Sequence, residues 1–410
     1  MKSYYPYYDL KYEPESDDIV CTFSVEPAAG VSMKDAVSAV AAESSIGTWT
    51  ELTTMPKEVQ DVLKARVFNV EGHKVEIAYP YDLFEEGNVP QIMSSVAGNV
   101  FGMNVLKSLR LEDIKLPDKM LASFKGPAFG VDGVRKLLRV NDRPLVGTII
   151  KPKLGLDADN HARVAYEAWV GGCDVVKDDE NLTNQWFNPF RERVIKTLAA
   201  KFRAEQKTGE KKVYMPNTTA ETNEMVNRAQ FIKEHGGEYA MIDILTTGFA
   251  GMQSLRDADT RLVLHAHRAM HAALTRNKKH GISMVVLAKL ARMIGMDQLH
   301  IGTGVGKMEG GMQEVAQIRK DIQMPWGHIK PTFAVCSGGL QPGNVQEIYS
   351  SLGKDIIIQM GGGIHGHPHG TQTGATAARQ AIDAAVKGIP AKKYAKTHKP
   401  LAEALKQWRS

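Results

Sequence analysis

From residue 126 onward the chain repeats one pattern. A short run of apolar or β-branched residues is followed by a polar turn, then by a stretch whose apolar positions keep the period of a helix. The runs are LVGTIIK (145–151), CDVVKDD (173–179), KKVYMPN (211–217), YAMIDIL (239–245), RLVLHAH (261–267), QLHIGTG (298–304), TFAVCSG (332–338) and IIIQMGG (356–362). Their length and turn-forming borders predict strands. The stretches between them, among them NHARVAYEAWVGG, TNEMVNRAQFIKEHG, ISMVVLAKLARMIG and GATAARQAIDAAVKG, predict helices. Eight β–α units in about 260 residues predict a (β/α)8 TIM barrel. A doubly wound sheet is the alternative, but its glycine fingerprint is missing.

Residues 1–125 read differently. Strand-like IVCTFSV (19–25) and HKVEIAYPY (73–81) mix with helical MKDAVSAVAAESS (33–45) and NVPQIMSSVAGNVFG (88–102). That mixture predicts a smaller α+β, ferredoxin-like domain. LRLEDIKLPDKMLASFKGPAFG (109–130), with its two prolines, reads as the connection onward. The expected division is an N-terminal domain over 1–125 and a catalytic barrel over 126–410.

Composition narrows the class. With 43% hydrophobic and 24% charged residues the chain has ample core, which excludes disorder, collagen and coiled coil. No apolar run approaches the ~18 residues of a membrane span. The opening MKSYYPYYDLKYEPESDD has no signal-peptide core. Three dispersed cysteines, Cys21, Cys173 and Cys336, predict reduced thiols and a cytoplasmic location. The net charge of +5 is concentrated near the end, at Lys387, Lys392, Lys393, Lys396, Lys399 and Lys406. Without interleaved aromatics this is a solvated helix surface and no nucleic-acid site. Mild positive charge also suits an anionic small substrate.

In a barrel of this kind the active site lies at the C-terminal ends of the strands, and capable residues gather there. Strand one ends in Lys151 and Lys153, strand two in Lys177, Asp178, Asp179 and Glu180, and strand five in His265, His267 and Arg268. Strand six ends in His300 and GTGVGKMEGG, strand seven in Ser337, Gly338 and Gly339, strand eight in Gly361, Gly362 and Gly363. Alternation puts Lys177 and Asp179 on one face, with Glu180 able to join them. Two carboxylates make a thin Mg2+ site, which a carbamate formed from Lys177 and CO2 would complete. The plain alternative is an ion-pair cluster. The glycines after strands seven and eight suit a phosphate against backbone N–H groups, or mark tight turns. Arg268, assisted by His300, suits a second anion. Two anion sites flanking a metal point to a bisphosphorylated sugar. His265, His267 and His271, like His365, His367 and His369, superficially suggest metal clusters; harder oxygen ligands on strand two argue against both. The glycine-rich loop holding Gly302 and Lys307 suits a lid, or a surface loop with a solvated lysine.

These residues resemble the large subunit of ribulose-1,5-bisphosphate carboxylase/oxygenase, RuBisCO. The likeness is carried by AAESSIGTWT (41–50), GNVFGM (98–103), GTIIKPKLGL (147–156), GGCDVVKDDENL (171–182), LHAHRAMHAA (264–273), HIGTGVGKMEGG (300–311), CSGGLQPGN (336–344) and QMGGGIHGHPHG (359–370). They span nearly the whole chain in the family's order. AKTHKPLAEALKQW looks most like the archaeal-type form III branch, for which nucleotide salvage is the usual setting.

The resemblance implies roles. Lys177 would be a carbamate and, with Asp179 and Glu180, hold Mg2+; it would take the first proton. Lys151 would handle later proton transfers, tuned by Lys153. His267 would contact substrate hydroxyls, and Arg268 and His300 would hold one phosphate. Thr48, Trp49, Gly339, Gly361 and Gly362 would hold the other, Ser337 would bind a sugar hydroxyl, and Gly302 and Gly338 complete the substrate-binding set. Lys307 would close over the site, paired with Glu43, and Asn99 would contact the substrate. Substrates would be ribulose 1,5-bisphosphate with CO2 or O2. The family's sites are shared across a homodimer, alone or in a ring of dimers, and no small subunit is expected. Ile46 and Ile149 depart from the commonest family residues, and the stretch from Gly311 to Pro331 is short. A RuBisCO-like enolase or isomerase, or a binding scaffold, would have lost some of these side chains.

Overall fold

The computed structural model describes residues 5–48, 50, 52–305 and 311–408, so Trp49 and Lys307 lie outside the described residues. The chain divides into two compact units. One comprises Met1–Lys125, Met270–Met293 and Trp326–Ile329; the other comprises Gly126–Ala269, Ile294–Pro325 and Lys330–Ser410.

In the first unit, strands Ile19–Pro27, Arg66–Glu71, Lys74–Tyr79 and Leu106–Lys115 alternate with helices Met33–Glu43 and Val89–Val96. The sheet runs Leu106–Lys115, Ile19–Pro27, Lys74–Tyr79, Arg66–Glu71, with antiparallel neighbours. The two-residue strand Gly281–Ile282 adds a parallel edge. Period-two burial of Ile19, Cys21, Phe23 and Val25 gives one sheet face its core. Helix Met33–Glu43 starts where the Ser32 side chain accepts the Asp35 amide at 3.1 Å, an N-cap.

Two local expectations fail here. The segment read as a connection begins as a long strand, Leu106–Lys115. Its alternation is masked by Arg110, a buried cation that donates to the Thr275 and Asn277 carbonyls at 3.2 and 2.5 Å. The predicted 88–102 helix stops at Val96. At Gly98 a Cβ would lie 2.1 Å from the Ser94 carbonyl oxygen, a turn only glycine makes, and a 3-10 turn Asn99–Gly102 follows.

In the second unit all eight expected strands form. They are Leu145–Ile149, Val175–Lys177, Val213–Met215, Tyr239–Asp243, Val263–His267, Gln298–His300, Phe333–Ser337 and Ile356–Gln359, called strands one to eight. Around the sheet they run three, two, one, eight, seven, six, five, four, all in parallel register. A parallel bridge between Asn217 and Met241 joins three to four and closes the barrel.

Alternation then grades the interior. Near the strand starts, Leu145, Val175, Val213, Tyr239, Val263, Phe333 and Ile357 pack with Val131, Val134 and Leu138 of helix Gly130–Leu138. Two or four residues further along the same inward rows stand Lys177, Asp243, His265, His267, Ser337 and Gln359. Inside the barrel the lower layer is an apolar plug and the mouth is polar. All three cysteines are buried and unpaired, and among the described residues no helix is long and apolar enough to cross a membrane.

Candidate active site

Strand two delivers its chemistry because it is short. Hydrogen-bonded pairing ends at Lys177, and the next three residues turn outward over the mouth. Lys177 is fully buried. Its amine donates to the Asp178 carbonyl at 2.8 Å, rests 3.4 Å from the Met241 thioether, and has Glu180 Oε2 at 3.9 Å. Burial holds this amine below the usual lysine range, against the pull of Glu180, Asp179 and Asp243.

Asp179 is equally buried and accepts from Lys151 Nζ at 2.6 Å, while Asn181 donates to its other oxygen at 3.3 Å. Lys153 Nζ lies 3.5 Å from Glu180 Oε1. Burial alone would raise the Glu180 carboxyl; Lys177, His267 and Lys153 outweigh it and bring it to about 2. The lysine pair of strand one thus meets the carboxylates of strand two.

Behind this turn lies a scaffold that the motif reading passed over. Asp178, fully buried and facing away from Lys177, accepts from Arg193 Nε at 3.0 Å, Tyr214 OH at 2.7 Å and the Asn217 amide at 2.9 Å. His161 Nε2 stands 3.1 Å away, in ion-pair reach but not aligned as a hydrogen bond. These partners hold the carboxyl well below its ordinary value despite burial. Asn217 Nδ2 also donates to the Glu180 carbonyl at 3.0 Å, so one cluster braces both ends of the turn.

On the far wall, His267 bridges two acids, with Nδ1 3.1 Å from Asp243 Oδ1 and Nε2 3.7 Å from Glu180 Oε2. Asp243 ends strand four, directly paired with His267 in the register, so the polar strand ends extend to a strand that the motifs left out. His300, expected beside Arg268 at a phosphate, instead faces inward: His265 Nε2 meets His300 Nε2 at 2.8 Å, and His300 Nδ1 meets Ser337 Oγ at 2.6 Å. Both ring nitrogens of His300 are therefore engaged. Arg268 is different. Its guanidinium packs on Gly302, where a Cβ would lie 2.8 Å from Nη2, and it has no hydrogen-bond partner among the described residues. Burial pushes it down to about 10.

The glycine clusters after strands seven and eight abut. A Cβ on Gly363 would stand 2.3 Å from the Leu340 carbonyl oxygen, and one on Gly361 would stand 3.2 Å from Lys151 Cε. Gly338 and Gly339 take positive φ. Backbone there can be approached closely, beside the lysine pair. In the first unit, Asn99 Nδ2 donates to Glu43 Oε1 at 3.3 Å, and Thr48 follows in the same segment as Glu43.

Comparison with known proteins gives two family models. The ribulose bisphosphate carboxylase large chain N-terminal domain matches residues 6–120, and its catalytic domain matches residues 130–408. The chain is 50% identical to the ribulose bisphosphate carboxylase of Methanosarcina acetivorans, with 98% of each chain covered. It is 46% identical to that of Methanocaldococcus jannaschii, over 98% of this chain and 100% of the relative. Among solved structures, an octameric Rubisco of Pyrococcus horikoshii, in complex with sulfate, superposes with a TM-score of 0.95 at 48% identity, covering 98% of this chain and 96% of the other. The dimeric Rubisco of Hyperthermus butylicus gives a TM-score of 0.93 at 43% identity over 99% of each chain.

Proposed function

The chain belongs to the ribulose bisphosphate carboxylase large-chain family, and on that premise we propose that it adds CO2 to ribulose 1,5-bisphosphate, O2 competing for the same enediolate. Carboxylation yields two molecules of 3-phosphoglycerate. The observation that carries this reading is the convergence of Lys151, Lys177, Asp179, Glu180 and His267 at one barrel mouth.

Among the described residues no three acidic, imidazole or thiol side chains converge as a metal cage, so Asp179 and Glu180 need a third oxygen group. Lys177 supplies it by adding CO2 through its neutral amine: an N–C bond forms, a proton leaves, and an anionic carbamate remains. Such hard donors fit Mg2+. When bound, Mg2+ draws electron density from substrate oxygens and eases loss of the C3 proton.

Lys177, as the carbamate, would take that proton. The enediolate C2 then bonds to CO2, water adds at C3, the C2–C3 bond breaks, and Lys151 delivers a proton to C2. Lys153, beside Glu180, tunes Lys151, and His267, oriented by Asp243, meets the substrate hydroxyls. Arg268 receives one phosphate. Gly338, Gly339, Gly361 and Gly362 receive the other with Thr48 and Trp49. Ser337 binds a sugar hydroxyl. Lys307, partnered by Glu43, stabilises the new carboxylate, and Asn99 contacts the substrate.

Incubation with ribulose 1,5-bisphosphate, Mg2+ and labelled bicarbonate is expected to give acid-stable label. Enolisation without label would establish the enolase reading instead, which the relatives' names disfavour. A Lys177→Ala variant with full activity would remove the carbamate. The dimeric and octameric relatives support an assembly in which Glu43, Thr48, Trp49 and Asn99 serve a partner's barrel. Mixing and refolding Glu43→Gln with Lys177→Ala is then expected to restore part of the activity; no recovery would count against the shared site.

A further inference from the structure

Inward from Ser337, the polar interior of the barrel contains a chain of contacts whose members the proposed reaction does not otherwise use. Gln298 Nε2 donates to the Tyr239 hydroxyl at 3.3 Å, which turns its Oε1 toward His265 Nδ1 at 2.8 Å. His265 Nε2 faces His300 Nε2 at 2.8 Å, and His300 Nδ1 faces Ser337 Oγ at 2.6 Å. Tyr239, Gln298, His265 and His300 are all buried, whereas Ser337 is half-buried at the mouth.

Each link permits one proton. Gln298 Oε1 can only accept, so His265 carries its hydrogen on Nδ1. Burial keeps both rings neutral, His265 down to about 3 and His300 well below the usual histidine range. The bare Nε2 of His265 must then accept, so His300 carries its hydrogen on Nε2. The bare Nδ1 of His300 must in turn accept from the Ser337 hydroxyl. With its hydrogen committed inward, Ser337 presents only lone pairs to the mouth.

We propose that Gln298 and His265 are positioning residues: through His300 they fix the Ser337 hydroxyl as a hydrogen-bond acceptor for a substrate hydroxyl. This rests on the proposed carboxylation for the identity of the substrate. The proton order itself does not depend on any reaction. Reversing the Gln298 amide would reverse every link and point the Ser337 hydrogen at the substrate's own donor, so Gln298 decides the polarity of the chain.

The ligand-free protein labelled with 15N-histidine tests the order directly, with resonances assigned by their loss in His265→Asn and His300→Asn. Bare Nε2 on His265 and bare Nδ1 on His300 are expected. The opposite tautomers, or an imidazolium at either position, would overturn the proposal whether or not the protein fixes CO2. A double-mutant cycle then tests the route. Gln298→Leu is expected to raise KM for ribulose 1,5-bisphosphate by about 3- to 10-fold and to add nothing on a Ser337→Ala background. An equal effect on both backgrounds, or none on either, would show that Gln298 does not act through Ser337.

Discussion

Of the buried aspartates around strand two, Asp174 just before it and Asp179 two residues past its end are treated in opposite ways. At the floor, Asp174 accepts both terminal nitrogens of Arg143 at 2.7 and 2.8 Å and the Val146 amide at 2.8 Å, with Arg379 at 3.5 Å. At the mouth, Asp179 has one cation, Lys151, that the proposed chemistry also needs. A cavity of about 460 Å³ opens at the floor among Arg139, Arg143, Asp174, Glu205, Glu210 and Arg379, where most of the charges are already paired with one another. At the mouth, Arg268 has no hydrogen-bond partner among the described residues, and among them Lys177 meets a carbonyl, a thioether and a distant carboxylate. A cavity alone does not mark the reactive end. Incomplete satisfaction of buried charge selects the right one, because such groups cost stability and are retained where they act.

The comparison is broken most directly at Lys177. A Lys177→Met variant is expected to lose carboxylation by about three orders of magnitude or more, with a thermal midpoint unchanged or raised, since it removes a poorly paired buried amine. Steady-state labelling and calorimetry on one preparation read both. A variant that lost its fold would make the mouth as structural as the floor. Asp174→Ala should do the reverse. Removing one partner of that buried pair is expected to cost about 3–5 kcal/mol in urea unfolding, while kcat of the folded fraction stays within about twofold.

The same contrast explains what was legible in the sequence. Eight apolar runs at regular spacing suffice for the barrel, since burial on a closed sheet is what that pattern encodes. The mouth was legible where chemistry clusters in consecutive residues, as in KPK and KDDE. Asp243, Gln298 and Asn217 were not, because each matters only through a partner on another strand. Strand Leu106–Lys115 was hidden by a buried arginine whose carbonyl partners lie more than 160 positions away. Register would have found Asp243: it occupies on strand four the level that His267 occupies on strand five.

Asp178 lies between the two regimes. It is as fully paired as a floor residue, yet it is flanked by Lys177 and Asp179. Asp178→Asn turns an acceptor for Arg193 and Tyr214 into a partial donor. It is expected to cost about 2–3 kcal/mol, as loss of a charge-assisted hydrogen bond does. If the cluster braces the turn, the Mg2+ concentration for half-maximal activity rises about tenfold as well. A stability loss with unchanged Mg2+ dependence would place Asp178 wholly with the floor.

The smallest effect lies in acid. Burial alone would raise the Asp174 carboxyl, but Arg143, Arg379 and Lys212 bring it below its ordinary 3.8. A carboxyl whose folded-state pKa is depressed stabilises fully above the unfolded value, and that contribution disappears as pH falls through the folded value. The stability gap between wild type and Asp174→Ala should therefore be constant from pH 7 to about 5 and narrow below about 4. Lys177→Met removes the largest charge that lowers the Glu180 carboxyl, so its offset from wild type should also shift below about pH 4. Urea midpoints across that range read both offsets. A gap for Asp174→Ala that widened in acid would mean that the Arg143 pair does not hold the carboxyl in its charged form.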